Sequence, residues 1–82
     1  MYYRDEARDV MAELEMLAVV ALMEDLPAKG LQRGQVGTIV EDLAPAVYEV
    51  EFSDDQGRTY ASAALRKDQL MRLYHEPTRH SA

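Results

Sequence analysis

The chain has 82 residues, a net charge of −6, 48% hydrophobic residues and no cysteine. That length fits one domain that buries roughly 60–65% of its unfolded surface, with no room for a deep pocket of several hundred cubic ångströms beside its core. The acidic balance disfavours phosphate-backbone binding, which needs Lys and Arg to release counterions, and the lack of cysteine excludes a disulfide framework and a thiolate metal site.

Residues 1–16 are predicted to form an α-helix. Ala7, Val10, Met11 and Leu14 recur at helical spacing and make one apolar stripe. Asp5, Glu6 and Asp9 lie near the positive end of that helix, where the macrodipole favours them. The stripe is expected either to cover one end of the domain or to serve as an interface for a partner. Early acids and no long apolar run predict no signal peptide. The run over 16–23 is too short to span a bilayer, so a cytoplasmic, bacterial-type protein with no membrane partner is expected.

Residues 17–23 form a continuous apolar run of strand length, ended by Glu24-Asp25-Leu26-Pro27. A loop over 27–34 follows, carrying Gly30 and Gly34. Strand two is predicted over 35–43, and its Val36, Thr38, Ile39 and Val40 are β-branched. Gly34 or Gly37 is expected to have positive φ, or to sit where a Cβ would collide with a neighbour. Ala44-Pro45-Ala46 is a turn, with φ preset by Pro45. Strand three, over 47–53, alternates cleanly. Tyr48, Val50 and Phe52 point to a core, and Glu49 and Glu51 to solvent. Asp54-Asp55-Gln56-Gly57 is a turn. Strand four is predicted over 58–64, with Tyr60 in the core, a short helical turn over 65–69 and a last strand over 70–74. Residues 76–82 are expected to be a flexible tail.

Five short strands joined by tight turns predict a mainly β fold. The turn glycine, strand glycine and β-branched run resemble the opening of the second strand of many small SH3-like barrels. The expected architecture is therefore a small SH3-like five-stranded barrel over 17–75, preceded by the helix.

No enzyme is expected. Gly30, Gly34 and Gly37 match neither a dinucleotide nor a phosphate-loop fingerprint. Ser53, Ser62 and Ser81 stand in no nucleophile-elbow context. His75 and His80 lack the spacing of a zinc site, and Asp54-Asp55-Gln56-Gly57 lacks the later ligands of a calcium loop. No cofactor or metal is expected.

Charge is unevenly spread. Six acids, Glu41, Asp42, Glu49, Glu51, Asp54 and Asp55, fall in a stretch with no Lys or Arg. The short turn between strands two and three brings Glu41 or Asp42 beside Glu49 and Glu51. Such a patch suits a partner protein with a basic surface. The alternative is a nucleic-acid-binding barrel using Lys29, Arg33, Arg58, Arg66, Lys67 and Arg72, with Tyr2, Tyr3 and Tyr74 as stacking aromatics.

Several separated blocks carry a family resemblance. They are Glu24-Asp25-Leu26-Pro27, Gly30-Leu31, Arg33-Gly34, Val36-Gly37-Thr38-Ile39-Val40-Glu41, Tyr48-Glu49-Val50-Glu51-Phe52, Gly57-Arg58-Thr59-Tyr60-Ala61 and Asp68-Gln69-Leu70. Over residues 17–74 the chain resembles an uncharacterised bacterial domain-of-unknown-function family of small SH3-like barrel proteins. The resemblance implies a stand-alone module without assigned activity. Members encoded beside toxin-like genes imply an antitoxin or immunity role. The Gly34 to Val40 piece also resembles the KOW-type element of ribosomal and transcription proteins, and the barrel domain of nitrile hydratase β-subunits, which implies an accessory-subunit role. The expected function is non-catalytic protein binding through the acidic hairpin, with Ala7, Val10, Met11 and Leu14 as a second candidate interface.

Overall fold

The β-branched and aromatic runs of the sequence become strands. The structure, a computed structural model, describes residues 14–74. They form β1 (Val19–Leu22), β2 (Val36–Ala44), β3 (Val47–Ser53), β4 (Thr59–Arg66) and β5 (Leu70–Arg72). Short 3-10 turns occupy Pro27–Lys29 and Lys67–Gln69, and there is no α-helix among the described residues.

The strands make one sheet in the order β4-β3-β2-β1-β5, each neighbouring pair antiparallel. The fold is mainly β, as the sequence predicts. β4 and β5 are the two edges, linked through the second 3-10 turn. Gln69 clamps that turn. Its side-chain oxygen accepts the Arg66 amide proton at 2.8 Å, and its amide nitrogen donates to Glu24 Oε2 at 2.9 Å.

One face of the sheet carries the core. Val20 and Leu22 of β1, Ile39 of β2, Tyr48, Val50 and Phe52 of β3, Ala63 and Leu65 of β4, and Leu70 of β5 are all buried. The period-two alternation of β3 thus holds at every core position. Leu31 is also buried, although it belongs to the loop before β2. A bridge to Leu26 holds it there, with Leu26 N–H donating to the Leu31 carbonyl at 2.8 Å.

Both organising glycines behave as the sequence requires. Gly34 has φ +95° and donates its N–H to the Leu22 carbonyl at 2.8 Å, tying the loop to the end of β1. Gly37 has no positive φ, but a Cβ there would lie 2.7 Å from Val50 Cγ1 and 2.8 Å from the Glu51 carbonyl oxygen. Strands β2 and β3 approach this closely because Gly37 has no side chain.

The predicted helix over 1–16 lies mostly outside the described residues, as does the predicted tail over 76–82. Its last three positions are described and are not helical. Leu14 donates its amide proton to the Tyr48 hydroxyl at 3.1 Å, so that proton is lost to a helical ladder. Leu17 then turns the chain with φ 67°, outside the helical region. That turn also shortens the first strand, which begins at Val19 rather than at residue 17. Strand β4 runs to Arg66, two residues beyond its expected end, and delays the helical turn to Lys67.

Candidate functional site

The hairpin of β2 and β3 carries the acids. Its loop is Pro45-Ala46, with Ala46 at φ 61°. A proline followed by a positive φ is the sign pattern of a type II turn. Ile39 pairs with Val50, so an unbroken ladder would set Val40 opposite Glu49 and Glu41 opposite buried Tyr48. A register shift between Ile39 and Glu41 prevents this. It places Glu41 opposite Glu49 and Asp42 opposite Tyr48. Bulges of this kind re-aim side chains, and here the bulge moves Glu41 off the row of a core tyrosine.

Glu41 and Glu49 are therefore direct cross-strand neighbours, and Glu51 shares the outer face of β3 with Glu49. No Lys or Arg ion-pairs with any of the three among the described residues. Glu51 accepts a long hydrogen bond from the Thr59 hydroxyl at 3.4 Å. Glu49 and Glu51 were expected in solvent, yet both are half-buried. The cause is position: β3 lies between β2 and β4, and Glu49 is flanked by Ala64 and Glu51 by Ser62.

The remaining acids divide. Asp42 is exposed at the end of the hairpin, and Asp55 at the tip of the β3–β4 turn. Asp54 is committed to that turn. Its Oδ1 accepts the amide protons of Gln56 and Arg58, each at 2.9 Å, and its Oδ2 pairs with the Arg58 guanidinium at 3.3 Å. The structure thus brings Glu41, Glu49 and Glu51 together and withdraws Asp54 from the patch. No group of three His, Asp or Glu side chains is arranged to hold a metal among the described residues.

Of the candidate basic residues, Arg66, Lys67 and Arg72 line one groove, and three are held in ion pairs. Arg58, Arg66 and Arg72 pair with Asp54, Asp68 and Glu15 at 3.3, 3.0 and 2.7 Å. Arg72 also lies 4.4 Å from the centre of the Tyr74 ring. Tyr60 was expected in the core but is 51% exposed. Phe52 pairs with Ala61 and Ser53 with Thr59, which leaves Tyr60 as the extra residue of a bulge and turns it outward. Its hydroxyl accepts a hydrogen bond from Gln35 Nε2 at 2.8 Å.

A surface absent from the sequence prediction is an apolar groove of about 600 Å³ between the Pro45-Ala46 loop and β5. Leu14, Met23, Val47, Leu70, Met71 and Tyr74 line it. The expectation of no sizeable pocket is corrected here. A groove open at the surface takes no volume from the core, so chain length does not forbid it. Of the second predicted interface, Leu14 is half-buried and packs against the core, whereas Ala7, Val10 and Met11 lie outside the described residues. The signal for the groove was two methionines, Met23 directly after β1 and Met71 in the middle of β5.

The family model described as "Domain of unknown function (DUF4926)" matches residues 16–72. The chain belongs to the DUF4926 family. The DUF4926 match contains all five strands and both 3-10 turns, and the family resemblance expected from the sequence is borne out. No curated protein and no solved structure matches the chain. No helix among the described residues is long and apolar enough to cross a membrane.

Proposed function

We propose that this DUF4926 chain is a non-catalytic protein-binding module whose acidic hairpin face meets a basic surface on its partner. The observation that carries this is Glu41 directly opposite Glu49, with Glu51 on the same face and no cation paired to them among the described residues. Like charges opposite one another on adjacent strands cost stability. A partner that supplies Lys or Arg converts that cost into attraction, and clustered acids raise the rate of encounter. An antitoxin-like or accessory-subunit role is the form of such binding that the family resemblance favours.

The fold we infer is an SH3-like barrel. Its support is a last strand that returns beside the first, edge strands joined by a 3-10 turn, and a core gathered on one face of the sheet.

The test is capture of the partner from the source cell, followed by association kinetics at low and high salt. The wild-type on-rate should fall steeply with salt, and Glu49→Lys/Glu51→Lys should slow it. An on-rate indifferent to both changes removes the acidic face from the mechanism. Recovery of nucleic acid, lost on replacing Lys29, Arg33 and Lys67, supports the KOW-like alternative instead.

A further inference from the structure

We propose that the open edge of β4 pairs antiparallel with the β4 of a second copy of this chain, centred on Ala63. Among the described residues β4 has β3 as its one neighbour in the sheet, so its other side is an edge. Two hydrogen bonds give the backbone directions along it. Lys67 donates its amide proton to the Ala46 carbonyl at 2.8 Å, whereas Arg66 donates its own to Gln69 Oε1 at 2.8 Å. Residues of an antiparallel strand turn their N–H and C=O alternately toward and away from one neighbour. The register from Ala61 to Arg66 has no shift, so Ser62 and Ala64, like Arg66, turn both groups away from β3. Both residues are exposed, and neither amide has an acceptor among the described residues.

Natural sheets blunt an edge with Lys, Pro, a bulge or shortness. The other edge, β5, has three residues. β4 has eight, with no proline and no charge before Arg66. Its bulge at Tyr60 and the Gln69 clamp on Arg66 close its two ends and leave residues 62–64 open.

The two free rungs set the register. With Ala63 opposite its own copy, Ser62 faces the second copy's Ala64 and Ala64 faces its Ser62, so all four amides find carbonyls. Shifting the pairing one way brings Ser62 against Arg66, whose amide is already taken. Shifting it the other way brings Ala64 against the bulge at Tyr60.

Charge agrees with this register. Antiparallel pairing sets the start of β4 against its end. The stretch leading into β4 carries Asp54, Asp55 and Arg58, and the stretch at its end carries Arg66, Lys67 and Asp68. A net acidic end of each copy therefore meets a net basic end of the other. Glu49 and Glu51 lie one strand further in. Three strand spacings, about 14 Å, separate them from those of the second copy, beyond the Debye length of about 8–10 Å.

Sedimentation equilibrium of the full-length protein over a range of concentrations reads the association, and amide exchange reads the edge. The expected result is a reversible dimer in which the amides of Ser62 and Ala64 exchange more slowly as concentration rises. Ser62→Pro removes one edge donor without touching the β3 ladder and should leave a folded monomer. Ser62→Lys keeps the backbone whole, puts a lysine on the edge and should also abolish the dimer. It carries the test if the proline variant does not fold. A chain that stays monomeric at every concentration overturns the proposal. So does a dimer that survives Ser62→Lys, because the contact then lies elsewhere. Slow exchange of Ser62 and Ala64 in a monomer overturns it too, because the edge is then covered within one chain.

Discussion

Gly37 and Val50 touch across β2 and β3: a Cβ on Gly37 would stand 2.7 Å from Val50 Cγ1. The Glu51 carbonyl oxygen is equally close at 2.8 Å, and backbone cannot rotate aside as a side chain can. Gly37→Ala should therefore overpack the core and cost about 1–3 kcal/mol. Chemical denaturation measures it. Val50→Ala, made in the same molecule, should recover part of the loss and show coupling between the two sites. Gly34→Ala should also destabilise, but through its φ of +95° alone, with nothing near its Cβ and no coupling to Val50. A silent Gly37→Ala would break the link between this glycine and the closeness of the two strands.

Ala46 occupies the left-handed region at φ 61°, directly after Pro45. That conformation costs an L-residue with a Cβ about 1–2 kcal/mol. Glycine removes the cost but adds about 0.4–1 kcal/mol of unfolded-chain entropy. Ala46→Gly should then stabilise the domain by about 0.5–1 kcal/mol. Ala46→Val should destabilise it, because a β-branched side chain tolerates positive φ worse than alanine. Opposite shifts in melting temperature are the expected outcome, and shifts of the same sign would reject the turn geometry.

The hydroxyl of buried Tyr48 accepts the Leu14 amide proton at 3.1 Å. Tyr48→Phe keeps the ring in the core and removes the acceptor. The expected loss is about 1 kcal/mol, with faster amide exchange at Leu14 than at Val20 or Val50. Exchange at Leu14 that is unchanged would mean the hydroxyl does not hold this point of the chain.

Much of the core was legible because β3 alternates without interruption, so Tyr48, Val50 and Phe52 could be placed from period two alone. The glycines were legible for a different reason. Two of them just before a β-branched run and one inside it leave few conformations in which that run can pair. Tyr60 was not legible. A bulge adds one residue to one strand, and a period counted along the sequence has no way to register it. The same applies near Val40, where the shift puts Glu41 rather than Val40 opposite Glu49. Leu31 was read as loop because its burial rests on a bridge to Leu26 rather than on a strand. The groove was hidden because Leu14, Val47 and Leu70 meet only after the sheet has brought distant segments together. Of the acidic patch, membership was legible at Glu41, Glu49 and Glu51. The loss of Asp54 to its own turn depended on hydrogen bonds that the composition does not disclose.

The pairing of Glu41 with Glu49 predicts that stability and binding respond in opposite directions to one change. The two residues are cross-strand partners on β2 and β3, with no ion-paired cation among the described residues. Replacing one removes a like-charge contact, and cross-strand pairs of this kind are worth only a few tenths of a kcal/mol. Glu41→Gln should therefore raise the melting temperature slightly, and more at low salt than at high salt. Glu41→Lys should raise it further by turning repulsion into attraction toward Glu49. If the hairpin meets a basic partner, both variants should bind it more slowly, Glu41→Lys more so, with dissociation less affected than association. A surface shaped for folding alone would show stabilisation with unchanged binding. A Glu41→Lys variant that is no more stable than wild type would show that the two carboxylates do not repel each other across the ladder. The paired measurement, melting temperature and on-rate on the same two variants at two salt concentrations, separates a charge retained for a partner from one that is merely tolerated.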